Sequence, residues 1–155
     1  MYRSVAALAS IVTVSSVLGG CTLVSTEGTA RTVEVEWVID GDTFVTTEDE
    51  RIRVLGIDTP EIGRDGAQDE PCAREAKEAT SGFLEGGEAT IVTDSAAGDT
   101  DQYGRTLAYV GTDGRDLGRK LLEDGLADVY PAEPGINRFS KYAMAAAQAP
   151  APACE

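Results

Sequence analysis

The chain of 155 residues contains no histidine, and its only lysines are Lys77, Lys120 and Lys141. Without an imidazole, hydrolytic mechanisms built on a histidine base are excluded, as is a zinc site completed by histidine. A carboxylate base stays available. Cysteine is scarce: Cys21, Cys72 and Cys154 are the full set. The apolar stretch from Val5 to Leu18 is too short to cross a bilayer as a helix, which takes about 20 residues. Positive charge is in short supply as well, with 13 basic against 27 acidic residues and a net charge of −14. That balance opposes binding of a polyanion, because affinity for nucleic acid normally comes from neutralised phosphates. Acid excess with little lysine resembles the surface of halophilic proteins, where concentrated salt shortens the reach of repulsion. Local arginines then matter more than the net charge.

Met1-Tyr2-Arg3, the apolar stretch and Gly19-Gly20-Cys21 follow the charge-then-apolar order of an export signal. Leu18-Gly19-Gly20-Cys21 resembles the lipobox of prokaryotic lipoproteins, in which the cysteine is lipidated and becomes the first mature residue. Residues 1–20 therefore read as a lipoprotein signal peptide, 21–30 as the lipidated Cys21 with a polar tether, and 31–155 as one domain with one core. Residues 1–20 carry Arg3 and no acid, so the mature chain has 12 basic and 27 acidic side chains, a net of −15. In an exported protein the remaining pair, Cys72 and Cys154, reads as a disulfide. It closes a loop of roughly 80 residues and pins the C-terminus to the start of a helix.

Val33, Val35 and Trp37 alternate with Thr32, Glu34 and Glu36, the pattern of a half-buried strand. It enters the turn Asp40-Gly41-Asp42, from which Thr43 to Thr47 returns as a second strand. Arg51 to Ile57 makes a third, stopped by Asp58-Thr59-Pro60-Glu61. Arg53 and Asp58 share a side only if Gly56 bends the strand or Asp58 lies beyond it. After a polar loop, Ile62 to Glu70, Asp69 is expected to cap a helix with Pro71 in its first turn and Cys72, Ala76, Ala79 and Phe83 at helical spacing. Ala89 to Thr93 and Arg105 to Gly111 are further strands. Helices are expected over 116–124 and 137–148. Five strands, one helix between the third and fourth and more helix after the fifth, give an α+β, β-rich class and match the order of an OB-type barrel.

Three separated motifs resemble those of the staphylococcal nuclease (thermonuclease) family: Val-Ile-Asp-Gly-Asp-Thr at 38–43, Arg-x-Leu-Gly-Ile-Asp-Thr-Pro-Glu at 53–61, and Asp-Gln-Tyr-Gly-Arg-x-Leu-Ala-Tyr at 101–109. A weaker one is Leu-x-x-Gly-Leu-Ala at 122–127. The resemblance runs from about Thr32 to Gln148. It implies a five-stranded barrel with three helices and a calcium-dependent endonuclease that cuts DNA and RNA at the 5′-oxygen, leaving 3′-phosphates. Carried over by position, Asp42, Asp58 and the Thr59 carbonyl would bind Ca²⁺, with Asp40 behind them. Arg53, Arg105 and Glu61 match the family's catalytic residues, and Tyr103 and Tyr130 would flank the substrate. Members outside the cell often carry the matching cysteine pair.

The chemistry suits these residues. Hard oxygen ligands favour calcium, and guanidinium groups meet the charge that builds on a phosphodiester under attack by water. The chain departs from the family where Gln102 replaces a lysine and where the last helix, usually basic, keeps only Arg138 and Lys141. A second class stays open: a lipid-anchored OB-type module that binds nucleic acid or another ligand without cutting. So does a third, a disulfide-stapled interaction domain of the cell envelope. Nothing demands more than a monomer.

Overall fold

The computed structural model describes residues 27–132, 134–151 and 154. The proposed signal peptide and Cys21 lie outside the described residues. Five strands close into a barrel: β1 (Arg31–Asp40), β2 (Thr43–Thr46), β3 (Arg51–Val54), β5 (Glu88–Val92) and β6 (Thr106–Thr112). β1, β2 and β3 form an antiparallel meander, β5 pairs with β1 and β6, and parallel pairing of β3 with β6 closes the ring. Short pieces complete the pattern: β4 (Ile57–Asp58) pairs with β8 (Asp128–Val129), and β7 (Arg115–Asp116) pairs with β6. Helix α1 (Ala73–Phe83) lies between β4 and β5; α2 (Leu117–Glu123) and α3 (Phe139–Gln148) follow β7 and β8. The expected OB-fold with three helices is the observed one.

The core is the barrel lumen, filled by Phe44, Ile52, Val54, Ile91 and Val110, and extended by Leu117, Leu121 and Leu122 of α2 and Tyr142 of α3. Burying each such side chain stabilises the fold by about 1.5–3 kcal/mol. Polar ties set the position of α3. Tyr109 Oη donates to Asp94 Oδ2 at 2.7 Å, and the Asn137 backbone N–H donates to the same oxygen at 2.8 Å. Tyr142 Oη donates to Asp116 Oδ1 at 2.9 Å. Arg138 pairs with Glu27 and Asp116 and lies 4.1 Å over the Tyr109 ring, so this cation of the last helix is spent on structure.

Two local expectations are corrected. Trp37 does not alternate inward with Val33; the β1–β2 register shifts between Val35 and Trp37, and the indole is 48% exposed. A bulge of this kind re-aims the side chains that follow it. Nor does Asp69 cap α1, whose N-cap is Cys72 at φ 71°. Asp69 instead accepts from the Gly63 N–H at 3.0 Å and pairs with Arg74 at 2.6 Å, stitching the 62–70 loop. The left-handed Cys72 starts the helix later than Pro71 suggested. The same cysteine forms the expected disulfide with Cys154, with Cα atoms 5.1 Å apart.

Candidate active site

The Asp-Gly turn at 40–42 brings two carboxylates to the mouth of the barrel. Gly41 is buried beneath α1: an added Cβ would lie 2.7 Å from Ala76 Cβ and 2.8 Å from Thr59 Oγ1. Thr80 Oγ1 of α1 donates to the Gly41 carbonyl. Asp42, 1% exposed, is held by four donors. Oδ2 accepts from the Thr59 backbone N–H at 2.9 Å and its hydroxyl at 3.0 Å, Oδ1 accepts from Thr43 Oγ1 at 2.9 Å, and Arg53 Nη1 lies 3.1 Å from Oδ2.

Gly56 bends the third strand at φ 82°, separating β3 from β4. Arg53 can therefore reach forward. Its Nη1 donates to the carbonyls of Val54 (2.9 Å) and Ile57 (2.8 Å), and its Nη2 to Asp58 Oδ1 (2.7 Å). The guanidinium is 11% exposed and bridges Asp42 and Asp58. Across the gap, Asp101 accepts from Arg105 Nε at 2.7 Å, and Arg105 Nη1 points to Thr43 Oγ1 at 3.4 Å. Tyr103, 70% exposed, lies beside it, with the guanidinium carbon 5.5 Å from the ring centroid. A cavity of about 210 Å³ is lined by Arg53, Asp58, Glu61, Tyr103, Arg105 and Tyr130. Tyr130 is placed there by the β4–β8 pairing and by its N–H, which donates to the Gly56 carbonyl at 3.0 Å.

A model of the family described as staphylococcal nuclease homologue matches residues 51–153. The chain is 32% identical over 122 residues to the thermonuclease of Staphylococcus hyicus, covering 77% of this chain and 71% of that protein. The chain belongs to the staphylococcal nuclease family. It is also 35% identical over 117 residues to the SPbeta prophage-derived endonuclease YokF of Bacillus subtilis, and 35% over 106 residues to the thermonuclease of Staphylococcus intermedius. It spans 39% and 62% of those two proteins. Membership places it among the nucleases, a class of hydrolases. The family match starts at Arg51, beyond the Asp-Gly turn; the ion pair of Arg53 with Asp42 joins the turn to the matched region.

Three carboxylates of this family member, Asp40, Asp58 and Glu61, have raised pKa values, chiefly through burial. Burial pushes Asp40 up to about 6, with the charges of Asp42 and Glu61 adding to it. Burial likewise raises Glu61, helped by Asp42, and raises Asp58 against the pull of Arg53. Asp40 Oδ1 is buried with no hydrogen-bond partner, an orphaned acceptor next to two other acids. An orphaned oxygen and mutually repelling acids are what an added cation relieves, so the residues fit one. Among the described residues no three acidic side chains form a ready-made metal cage.

The structure brings together all the residues singled out at the barrel mouth. Sequence reasoning missed Thr43, whose buried hydroxyl links Asp42 to Arg105. It also missed Arg64, 3.5 Å from Asp40 Oδ2, and Arg51. For Arg51 a signal existed: it stands two residues before Arg53 on one strand, hence on the same face.

Proposed function

We propose that this nuclease is a calcium-dependent endonuclease that hydrolyses phosphodiesters of DNA and RNA at the P–O5′ bond, leaving 3′-phosphates. The observation that carries this reading is Arg53 bridging Asp42 and Asp58 at 3.1 and 2.7 Å on the wall of a cavity that also holds Glu61 and Arg105. Asp42, Asp58 and the Thr59 carbonyl would hold calcium, with Asp40 behind them. Bound there, the ion supplies positive charge to the phosphate oxygens.

The chain's own groups account for the rest. The Glu61 carboxylate makes no hydrogen bond among the described residues, and its raised pKa suits a base that takes a proton from the attacking water. Among the described residues the Arg53 Nε makes no hydrogen bond, and Arg105 offers Nη2 and a weakly held Nη1 from the opposite wall. Charge that develops on the phosphate meets both guanidiniums, and losing one such donor costs on the order of a hundredfold in rate. As the P–O5′ bond breaks, the 5′-oxygen leaves and is protonated from solvent. We place the enzyme outside the cytoplasm, tethered through lipid on Cys21 and acting as a monomer.

Plasmid degradation with calcium or with a chelator, across salt concentrations, tests the reading. Cutting should require calcium and be abolished by Asp58→Ala or Arg105→Ala. Strand binding without cleavage under every ionic condition would instead favour the binding module.

A further inference from the structure

The nuclease site is one end of a longer groove. Next to it, a cavity of about 490 Å³ is lined by Arg51, Arg64, Arg105, Tyr103, Asp40 and Glu61. Beyond that, a further hollow of about 400 Å³ is bounded by Trp37, Ile39, Val45, Asp49, Arg51 and Arg64. Arg51 and Arg64 line both, and Arg105 and Tyr103 belong to both the first hollow and the catalytic cavity. The three hollows are therefore neighbours that share walls, in order from Tyr130 past Glu61 to Trp37.

Two of the arginines along this path, Arg51 and Arg64, are loosely held. Among the described residues, eight of the 12 basic side chains in the mature sequence are in ion pairs: Arg31, Arg53, Arg64, Arg74, Arg105, Arg119, Lys120 and Arg138. The Arg51 side chain is exposed and makes no ion pair or hydrogen bond among the described residues, although the chain is rich in acids. The Arg64 side chain is 66% exposed, and among the described residues its one ion pair is a long contact to Asp40 at 3.5 Å. Trp37, the one tryptophan, is turned outward by the bulge in β1. A free guanidinium, a loosely held one and an exposed indole on a single track form a backbone contact and a stacking platform, the pairing used for single strands. Arg51 and Arg53 sit two residues apart on one face of β3, about 7 Å along the strand, so neighbouring phosphates of one strand meet neighbouring arginines.

We infer that this groove is a subsite for a single-stranded polynucleotide, in which Trp37 stacks on a base and Arg51 and Arg64 hold a phosphate next to the one being cut. The inference rests on the nuclease reading and deepens it: the preferred substrate is a strand several nucleotides long, not an isolated diester.

The test uses the mature protein in chelator, which keeps the strand intact, with an eight-nucleotide oligothymidylate. The emission of Trp37 is its own reporter and should be quenched by the octamer and not by thymidine diphosphate. With a labelled octamer read by anisotropy, Trp37→Ala should weaken binding about tenfold, as expected for one lost stack, and Trp37→Phe should restore most of it. Arg51→Gln should weaken binding and reduce the dependence on log salt by about 0.7, the share of one phosphate on a single strand. In calcium, the same variant should lose at least five times more kcat/KM on the octamer than on a dinucleotide with a single diester. Octamer binding that leaves Trp37 unquenched, Trp37→Ala binding as tightly as the parent, or a parent that does not bind the octamer overturns the subsite. A parent that binds and quenches but cuts nothing in calcium overturns the nuclease reading and leaves the subsite standing.

Discussion

Arg53 Nη1 sits 3.1 Å from Asp42 Oδ2 inside a wall where the aspartate is 1% exposed. Removing the arginine strands a buried negative charge, which typically costs about 3–5 kcal/mol. Arg53→Gln should therefore be destabilised by that order in urea, beyond its loss of activity. Adding Asp42→Asn should recover part of the stability and none of the activity. Equal stability of the single and double variants would locate the cost elsewhere, in the lost bonds to Val54 and Ile57.

Gly56 is the hinge that lets Arg53 and Asp58 meet. An alanine there would be held at φ 82°, with its Cβ 2.5 Å from Ile136 Cδ1. The left-handed backbone alone costs about 1–2 kcal/mol. Gly56→Ala should lower the midpoint of thermal unfolding and reduce kcat more than it raises KM. A variant with full kcat would mean that the bend is not needed for the site.

Calcium should stabilise the fold as well as support cutting. A ligand that binds only the native state at 100 times its Kd adds about 2.7 kcal/mol. The thermal midpoint should rise on titration with calcium, return in chelator, and fail to respond in Asp42→Asn or Asp58→Asn. This readout needs no substrate, so it separates loss of the ion from loss of chemistry.

Alkaline pH should act through two tyrosines. Burial raises the pKa of Tyr109, whose hydroxyl also donates to Asp94; burial raises Tyr142, with the charge of Asp116 adding to it. Both phenols stay protonated in the native state while the unfolded chain ionises near pH 10. Stability is thus full below pH 10 and falls as pH rises above it. Unfolding free energy followed from pH 8 to 11 should show that decline, and Tyr109→Phe should make it shallower.

Much of this was legible from periodicity and turn chemistry. The strands, the Asp-Gly turn and the stop at Pro60 need only local rules, and the structure obeys them. The helix expected over 116–124 is α2, whose start is fixed by Asp116 accepting from the Arg119 N–H at 2.9 Å. Trp37 and Asp69 were misread because each answers to a non-local partner: one to the strand register across β2, the other to the Gly63 N–H and Arg74. Thr43 and Arg64 were invisible for the same reason. Their roles come from side chains that meet only when the barrel closes, and a threonine after an aspartate carries no mark of it.

The disulfide has a reach beyond its own two sulfur atoms. Cys72 is the first anchor of α1, and Ala76 and Thr80 of that helix press on Gly41, the residue that spaces Asp40 from Asp42. A covalent fastener at the chain's far end thus bears, through one helix, on the gap between two acids. Where thiols stay reduced, that fastener is missing and the helix is held by packing and by the Thr80 hydrogen bond. The compartment's redox chemistry is in this way written into the shape of the carboxylate turn.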